Sequence, residues 1–306
     1  MKKHLLLAMA LFASNYAMAD KTYTIPEDTT KVIDIEEVVV IASPKETSKF
    51  RQLPSSVSLI SQKDMQANHI TSLKSASSIV PNFFMPDYGS KITSAVYIRG
   101  IGSRINTPAV GLYVDNIPYI DKSAFDFNFY DIERIDILRG PQGTLYGRNT
   151  MGGLIRVFTK SPFTYQGTDL TLSAATYNNY KASVSHYHRI SPQFAFSANF
   201  FYEHKGGFFK NSYLNECVDK DDEFGGRFRA IYLPKENLKL DFTLNYEYTN
   251  QGGYPYEYTG VTEGEEDRTD YIGRIAYNHK SGYRRNLLNG GLNLEHQTDN
   301  FILSSV

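Results

Sequence analysis

The chain is short of several things, and each shortage removes a class of protein. It has one cysteine, Cys217, in 306 residues, so no internal disulfide framework can hold it together, and Cys217 reads as a loop thiol. It has no tryptophan, and its seven histidines show no metal-ligand spacing; His186 and His188, on one face of a strand, read as a satisfied or interfacial pair. The net charge of −1 gives no electrostatic support for a nucleic-acid partner. Beyond the first 19 residues no segment is apolar enough for a membrane helix, and mean hydropathy is −0.38. That leaves open a membrane barrel, whose strands are apolar only at alternate residues. No P-loop pattern is present, and Gly100 and Gly102 lack the third glycine of a dinucleotide fingerprint. Asp131, Glu133 and Asp136 are spaced for turn and strand-surface roles, not as paired acid and base. Glu263, Glu265, Glu266 and Asp267 read as a solvated loop, not a cation site. The chain therefore reads as non-enzymatic, with no cofactor and no metal.

What is present points to an exported β protein. Aromatics reach 14%, with 23 Tyr and 19 Phe. Residues 1–19 read as a secretory signal: Lys2 and Lys3, then the apolar run Leu5 to Ala13, then Ala17-Met18-Ala19 as the cleavage site. The stretch Asp131 to Lys160 organises the rest. Arg134 to Leu138 alternates as a strand, Arg139-Gly140-Pro141-Gln142-Gly143 breaks it, and Leu154 to Thr159 returns to strand. Five glycines between Gly140 and Gly153 imply tight turns and close backbone packing, with no helix between the strands.

This stretch resembles the end of the plug domain of TonB-dependent outer-membrane receptors. The resemblance lies in Glu133 to Pro141 (ERIDILRGP), Leu145 to Gly147 (LYG) and Gly152 to Lys160 (GGLIRVFTK), with Ile137, Leu154 and Arg156 departing from the family pattern. Ile98-Arg99-Gly100 resembles a second plug motif. Asn116 stands where the family has glycine, a substitution that tolerates a left-handed turn. Ile35, Glu36, Glu37, Val38, Val39 and Val40 resemble the TonB box, a β-branched run suited to strand addition on a partner's sheet edge.

The resemblance implies residues 20–50 as a periplasmic tail with the box, 51–162 as an α+β plug domain, and 163–306 as antiparallel transmembrane β-barrel strands. Within the plug, Leu53 to Ile60 reads as a strand, Ser61 as the cap of a helix from Gln62, Thr71 to Ile79 as a second helix, and Thr93 to Arg99 and Val110 to Val114 as strands. After Gly167 the alternation is sustained. Leu238, Leu240, Phe242, Leu244, Tyr246 and Tyr248 share one face against Lys239, Asp241, Thr243, Asn245 and Glu247. Glu203, Arg227, Arg229, Asp241, Glu247 and Glu295 are assigned to the lumen. About seven strands follow the linker, against about 22 in plugged transporter barrels, so an incomplete barrel is expected, open on one side.

The family's implied function is import of a scarce ligand, most often a ferric siderophore, across the outer membrane of a Gram-negative bacterium, with TonB supplying energy through the box. Membrane lipid, TonB and a small ferric chelate are the implied partners. Phe84, Tyr88, Arg104, Asn106 and Tyr119 are the candidate ligand contacts, mixing aromatic and cationic groups. Arg99 and Arg139 match plug-core arginines of the family and are expected to lock the plug to barrel carboxylates. Cobalamin, haem and glycan import, and a passive adhesion barrel, are the alternatives; deletion of the box separates an energised importer from an adhesin.

Overall fold

A computed structural model describes residues 56–105, 107–253, 255–256, 273–298 and 301–306. The signal, the box and its tail, Asn106 and the acidic run Glu263 to Asp267 lie outside the described residues.

The first domain is built on a five-stranded sheet of order β1-β7-β8-β5-β6, from β1 (Ser56–Ser61), β5 (Val110–Val114), β6 (Ile117–Tyr119), β7 (Ile132–Arg139) and β8 (Gly153–Thr159). All its pairings are antiparallel except β5 with β8. Helix α1 (Gln62–Ala67) starts where expected, because the Ser61 and Asp64 side chains close a capping box. Helix α2 is only Leu73–Ala76. Four serines crowd this segment; the Ser75 and Ser78 hydroxyls donate to the backbone carbonyls of Ser72 and Ser75, which competes with helix propagation. The expected strand from Thr93 is likewise cut short: Lys91–Thr93 is a 3₁₀ turn opened by Ser90, and β3 is only Tyr97–Ile98, between β2 (Phe83–Phe84) and β4 (Ile101–Gly102). A single helical turn, α3 (Gly143–Tyr146), sits in the glycine stretch read as turns alone. Asp115 and Asn116 take φ of 48° and 68°, so the hairpin between β5 and β6 is left-handed as expected. Ile60, Leu73, Ile98, Leu112, Phe125, Ile135, Ile137, Ile155 and Val157 form the core. On the other sheet face Arg156 is buried and donates to Asp136 at 3.0 Å.

The second element is a seven-stranded antiparallel sheet in simple sequence order, apart from the small hairpin β12 (Lys210–Asn211) and β13 (Glu216–Cys217) in one connection. Its strands are β9 (Gly167–Ala175), β10 (Asn179–Arg189), β11 (Phe194–Lys205), β14 (Asp221–Lys235), β15 (Leu238–Gly252), β16 (Gly282–Gln297) and β17 (Ile302–Ser305). Among the described residues β9 and β17 have free edges, so this wall is an open arc. One face is apolar and exposed: Leu172 is 69% exposed, Phe228 41%, Leu244 42% and Leu288 68%. The other face buries Arg227, Arg229, Asp241 and Glu247. That is the reverse of a soluble sheet, which turns its polar side to water. Domain and wall belong to one folded unit.

Candidate functional site

The buried polar face of the wall meets the first domain along a seam of charged groups. Each partner is positioned by a rule visible in its own segment. On β14, alternation turns Glu223, Arg227 and Arg229 inward and Phe224, Phe228 and Tyr232 outward. On the domain side, Lys91 is the first residue of the Ser90-capped turn, Asp115 opens the left-handed hairpin, and Asp131 and Lys160 flank β7 and β8.

At one end of the seam the Lys91 amine donates to Glu223 Oε2 at 2.6 Å and lies 3.7 Å from Glu247. Asn128 donates to the same Glu223 oxygen at 2.5 Å. Burial alone would lower the Lys91 pKa, but the carboxylates of Glu223 and Glu247 outweigh it and hold the ammonium above its ordinary range. Arg285 ties Glu247 to the Ser123 and Asp126 carbonyls. Midway, Arg227 donates to Asp131 at 2.6 Å and Asn199 donates to its other oxygen at 3.1 Å. Burial raises the Asp131 carboxyl, and Arg227 opposes that rise. The Tyr130 ring stacks on Phe201 at 5.0 Å, a fit that needs Gly225: a Cβ there would sit 2.8 Å from the Phe201 ring. Further along, Arg229 forks onto Asp241 at 2.9 and 2.8 Å, donates to the Thr159 hydroxyl at 2.8 Å and lies 3.4 Å from Asp115. Asp115 in turn accepts from the Thr159 amide and hydroxyl. Ile117 packs where a Cβ on Gly291 would come within 2.4 Å. Lys160 closes the seam on Asp169 at 2.7 Å.

Buried ion pairs of this kind add little net stability over apolar packing, but removing one partner is expensive. The seam therefore specifies one seating of the domain on the wall and resists displacement from it. No group of three or more metal-ligating side chains occurs among the described residues.

Four of the six residues assigned to the lumen, Arg227, Arg229, Asp241 and Glu247, are buried at the seam. Glu203 is half-buried and pairs within the wall, with Lys181 at 3.6 Å and Lys205 at 3.2 Å, and Glu295 is half-buried. The lock expected of Arg99 and Arg139 is not made to the described strands. Arg99 is exposed at a φ of 52°, and Arg139 donates to the Pro81 carbonyl at 3.0 Å. Both arginines stand at turns of the first domain itself, and Arg99 Nη1 lies beside Gly140. Lys91, Asp115, Asp131 and Thr159 hold the wall instead. Sequence reasoning gave Asp131 and Asp136 turn and strand-surface roles, although both are buried, and gave the others no pairing role, because a lone Lys or Asp in a turn carries no pairing signal until its partner's strand is placed.

Of the ligand candidates, three converge. The Arg104 guanidinium lies 4.5 Å over the Tyr88 ring, and Phe84 packs on Tyr97 at 6.3 Å. Tyr97 and Tyr88 also interact, so Tyr97 joins the cluster. Phe84 is 58% exposed. Asn106 lies outside the described residues. Tyr119 does not belong here: it is 8% exposed, pairs with Leu112 and packs on Phe127 at 6.0 Å. Its place in β6 turns the ring into the core.

The motifs of the first domain match a family model, the TonB-dependent Receptor Plug Domain, over residues 49–154. Residues 49–154 are a TonB-dependent receptor plug domain. The chain is 28% identical over 130 residues to the pesticin receptor of Yersinia pestis, covering 42% of this chain and 19% of that one. It is 28% identical over 171 residues to the catecholate siderophore receptor Fiu of Escherichia coli, covering 55% and 21%. The vitamin B12 transporter BtuB of Vibrio vulnificus is 26% identical over 164 residues, covering 50% and 25%. The chain thus spans a quarter or less of the length of these relatives. In fold, the plug and its wall resemble the crystal structure of the ferric yersiniabactin uptake receptor FyuA from Yersinia pestis, with a TM-score of 0.67 at 19% identity over 80% of this chain and 39% of that one. The open arc corresponds to part of a barrel, and the seam is where the plug meets its wall.

Proposed function

We propose that the protein to which this chain belongs is an energy-coupled importer in the outer membrane of a Gram-negative bacterium, with a ferric siderophore or similar ferric chelate as its ligand. The observation that carries the reading is the plug seated by buried ion pairs on a sheet whose other face is apolar and exposed. Such a sheet suits a lipid setting, where closure into a barrel pairs every backbone edge. A plug whose polar seat resists displacement but specifies one position can be drawn off only by work and returns to the same place, which an energised importer needs and a passive adhesin does not.

Ligand selection is assigned to the cluster of Phe84, Tyr88, Tyr97 and Arg104. Aromatic faces beside a guanidinium suit an anionic chelate with aromatic arms, and one of the relatives above is a catecholate siderophore receptor. Haem and cobalamin are the competing ligands. Ile35 to Val40 is assigned to TonB as an added strand. A lock by Arg99 and Arg139 is retained only toward wall residues outside the described strands. The deciding experiment is a growth screen of a receptor deletion on defined iron sources, haem and cobalamin. Failure to grow on one ferric chelate, restored by the intact gene and not by one lacking residues 35–40, supports the reading. Normal growth on every source, or full rescue without the box, overturns it.

A further inference from the structure

The cluster of Phe84, Tyr88, Tyr97 and Arg104 at the Lys91 end of the seam, called the apical cluster below, must stand still against the wall if it is to present a fixed surface, yet its strands are two residues long. Two-residue strands contribute little rigidity of their own. The loop between Phe84 and Lys91 is instead held from outside. The Tyr88 carbonyl accepts from the Tyr256 hydroxyl at 2.6 Å. Gly89, at a φ of 79°, lies so close to Pro255 that a Cβ would approach it to 2.9 Å. Lys91 is the loop's buried end, 6% exposed, and it uses both its groups on the wall. Its amide donates to the Gln251 side chain at 3.2 Å, near the end of β15. Its amine meets Glu223 near the start of β14. Asp126, which pairs with Lys74 at 2.7 Å, and Glu247, which pairs with Arg285, add their charge.

We propose that Lys91 is the positioning residue that pins the apical cluster to the barrel wall, so that Tyr88 and Arg104 are presented in one geometry. The inference rests on the import reading for its purpose, but the seating itself is a geometric fact of the loop. A methionine at this position keeps the stem and removes the charge, which leaves Glu223 beside Asp221 with Asn128 as its donor and without its ion-pair partner. The Tyr88 segment is then free to leave Tyr256 while the rest of the seam, through Asp131 and Asp115, stays in place.

The test is thiol cross-linking in the full-length receptor in a Cys217→Ser background, with a short bifunctional methanethiosulfonate. Tyr88→Cys with Tyr256→Cys reads the apical seating; Ile117→Cys with Gly291→Cys reads the far end of the seam. Lys91→Met is expected to lower the apical cross-link at least fivefold and leave the distal one unchanged, with Lys91→Arg restoring the apical yield. Equal loss at both ends would make Lys91 a general stabiliser of the plug and overturn the proposal, as would an unchanged apical yield. The cross-links need no ligand, so they stand apart from the growth screen. Uptake of the ferric chelate found by that screen should show a raised half-saturation concentration in Lys91→Met, with the maximal rate kept.

Discussion

Replacing Arg227 by methionine is the sharpest probe of the seam. Arg227 is 3% exposed, donates to Asp131 at 2.6 Å and stands 5.4 Å over the Tyr130 ring. Methionine keeps much of the volume and removes the charge. Asp131, itself 2% exposed, then keeps only Asn199 as a side-chain donor at 3.1 Å. Stranding one member of a buried pair costs roughly 3–5 kcal/mol, and the surviving Asn199 bond places this case near the lower figure. At about 1.4 kcal/mol per tenfold, that is roughly a hundredfold rise in the population with the plug unseated. Hydrogen–deuterium exchange on the full-length receptor reads it directly: amides of β7 and β8, which flank Asp131 and Lys160, should exchange roughly a hundredfold faster if they open by unseating. Adding Asp131→Asn to Arg227→Met removes the stranded charge and should recover most of the protection. Unchanged exchange in the single variant, or a double variant no better than the single, would refute the argument that the pair holds the plug.

Three further outcomes are expected. Val39→Pro removes a backbone donor from the box, so uptake should fall while outer-face ligand binding persists; uptake at the normal rate with normal expression would discard the box assignment. The double variant Arg99→Ala/Arg139→Ala should loosen β7 and β8 less than Arg227→Met, since neither arginine pairs with the described wall; exchange faster than in Arg227→Met would return the lock to them. The contributions of Asp126 and Lys91 to the seating of the apical end should change only at the extremes of pH. Burial pushes Asp126 up, but Lys91 and Lys74 hold its carboxyl below the ordinary 3.8, so its contribution is full above that value and fades as pH falls through its lowered pKa. Lys91 is raised above the ordinary 10.5, so its contribution is full below that value and is lost only as pH rises through the raised one. Amide protection of the segment around Tyr88 against pH, corrected for the intrinsic exchange rate, checks both signs; protection lost on raising pH past 3.8, or on lowering it past 10.5, would contradict them.

The sequence alone determined the alternation of the wall strands, the capping of α1 by Ser61 and Asp64, and the left-handed turn at Asp115-Asn116. These are local: period, side-chain reach and φ preference are properties of a few neighbouring residues. The motif between Glu133 and Lys160 also marked the plug, because its order of strand, turn and strand is long enough to be specific. Two kinds of feature required the tertiary structure. Where serine hydroxyls compete with the backbone, as from Ser72 to Ser78 and from Ser90 to Ser94, short turns replace the longer helix and strand that the pattern implied. The seam was beyond reach for a different reason. Lys91 and Glu223 are 132 residues apart, and Asp131 and Arg227 are 96 apart. A lone charge in a turn resembles any solvated charge. Which carboxylate it meets depends on how the whole plug sits on the wall, and that seating chose Lys91 and Arg227 over Arg99 and Arg139 for the described strands, and put Tyr119 in the core.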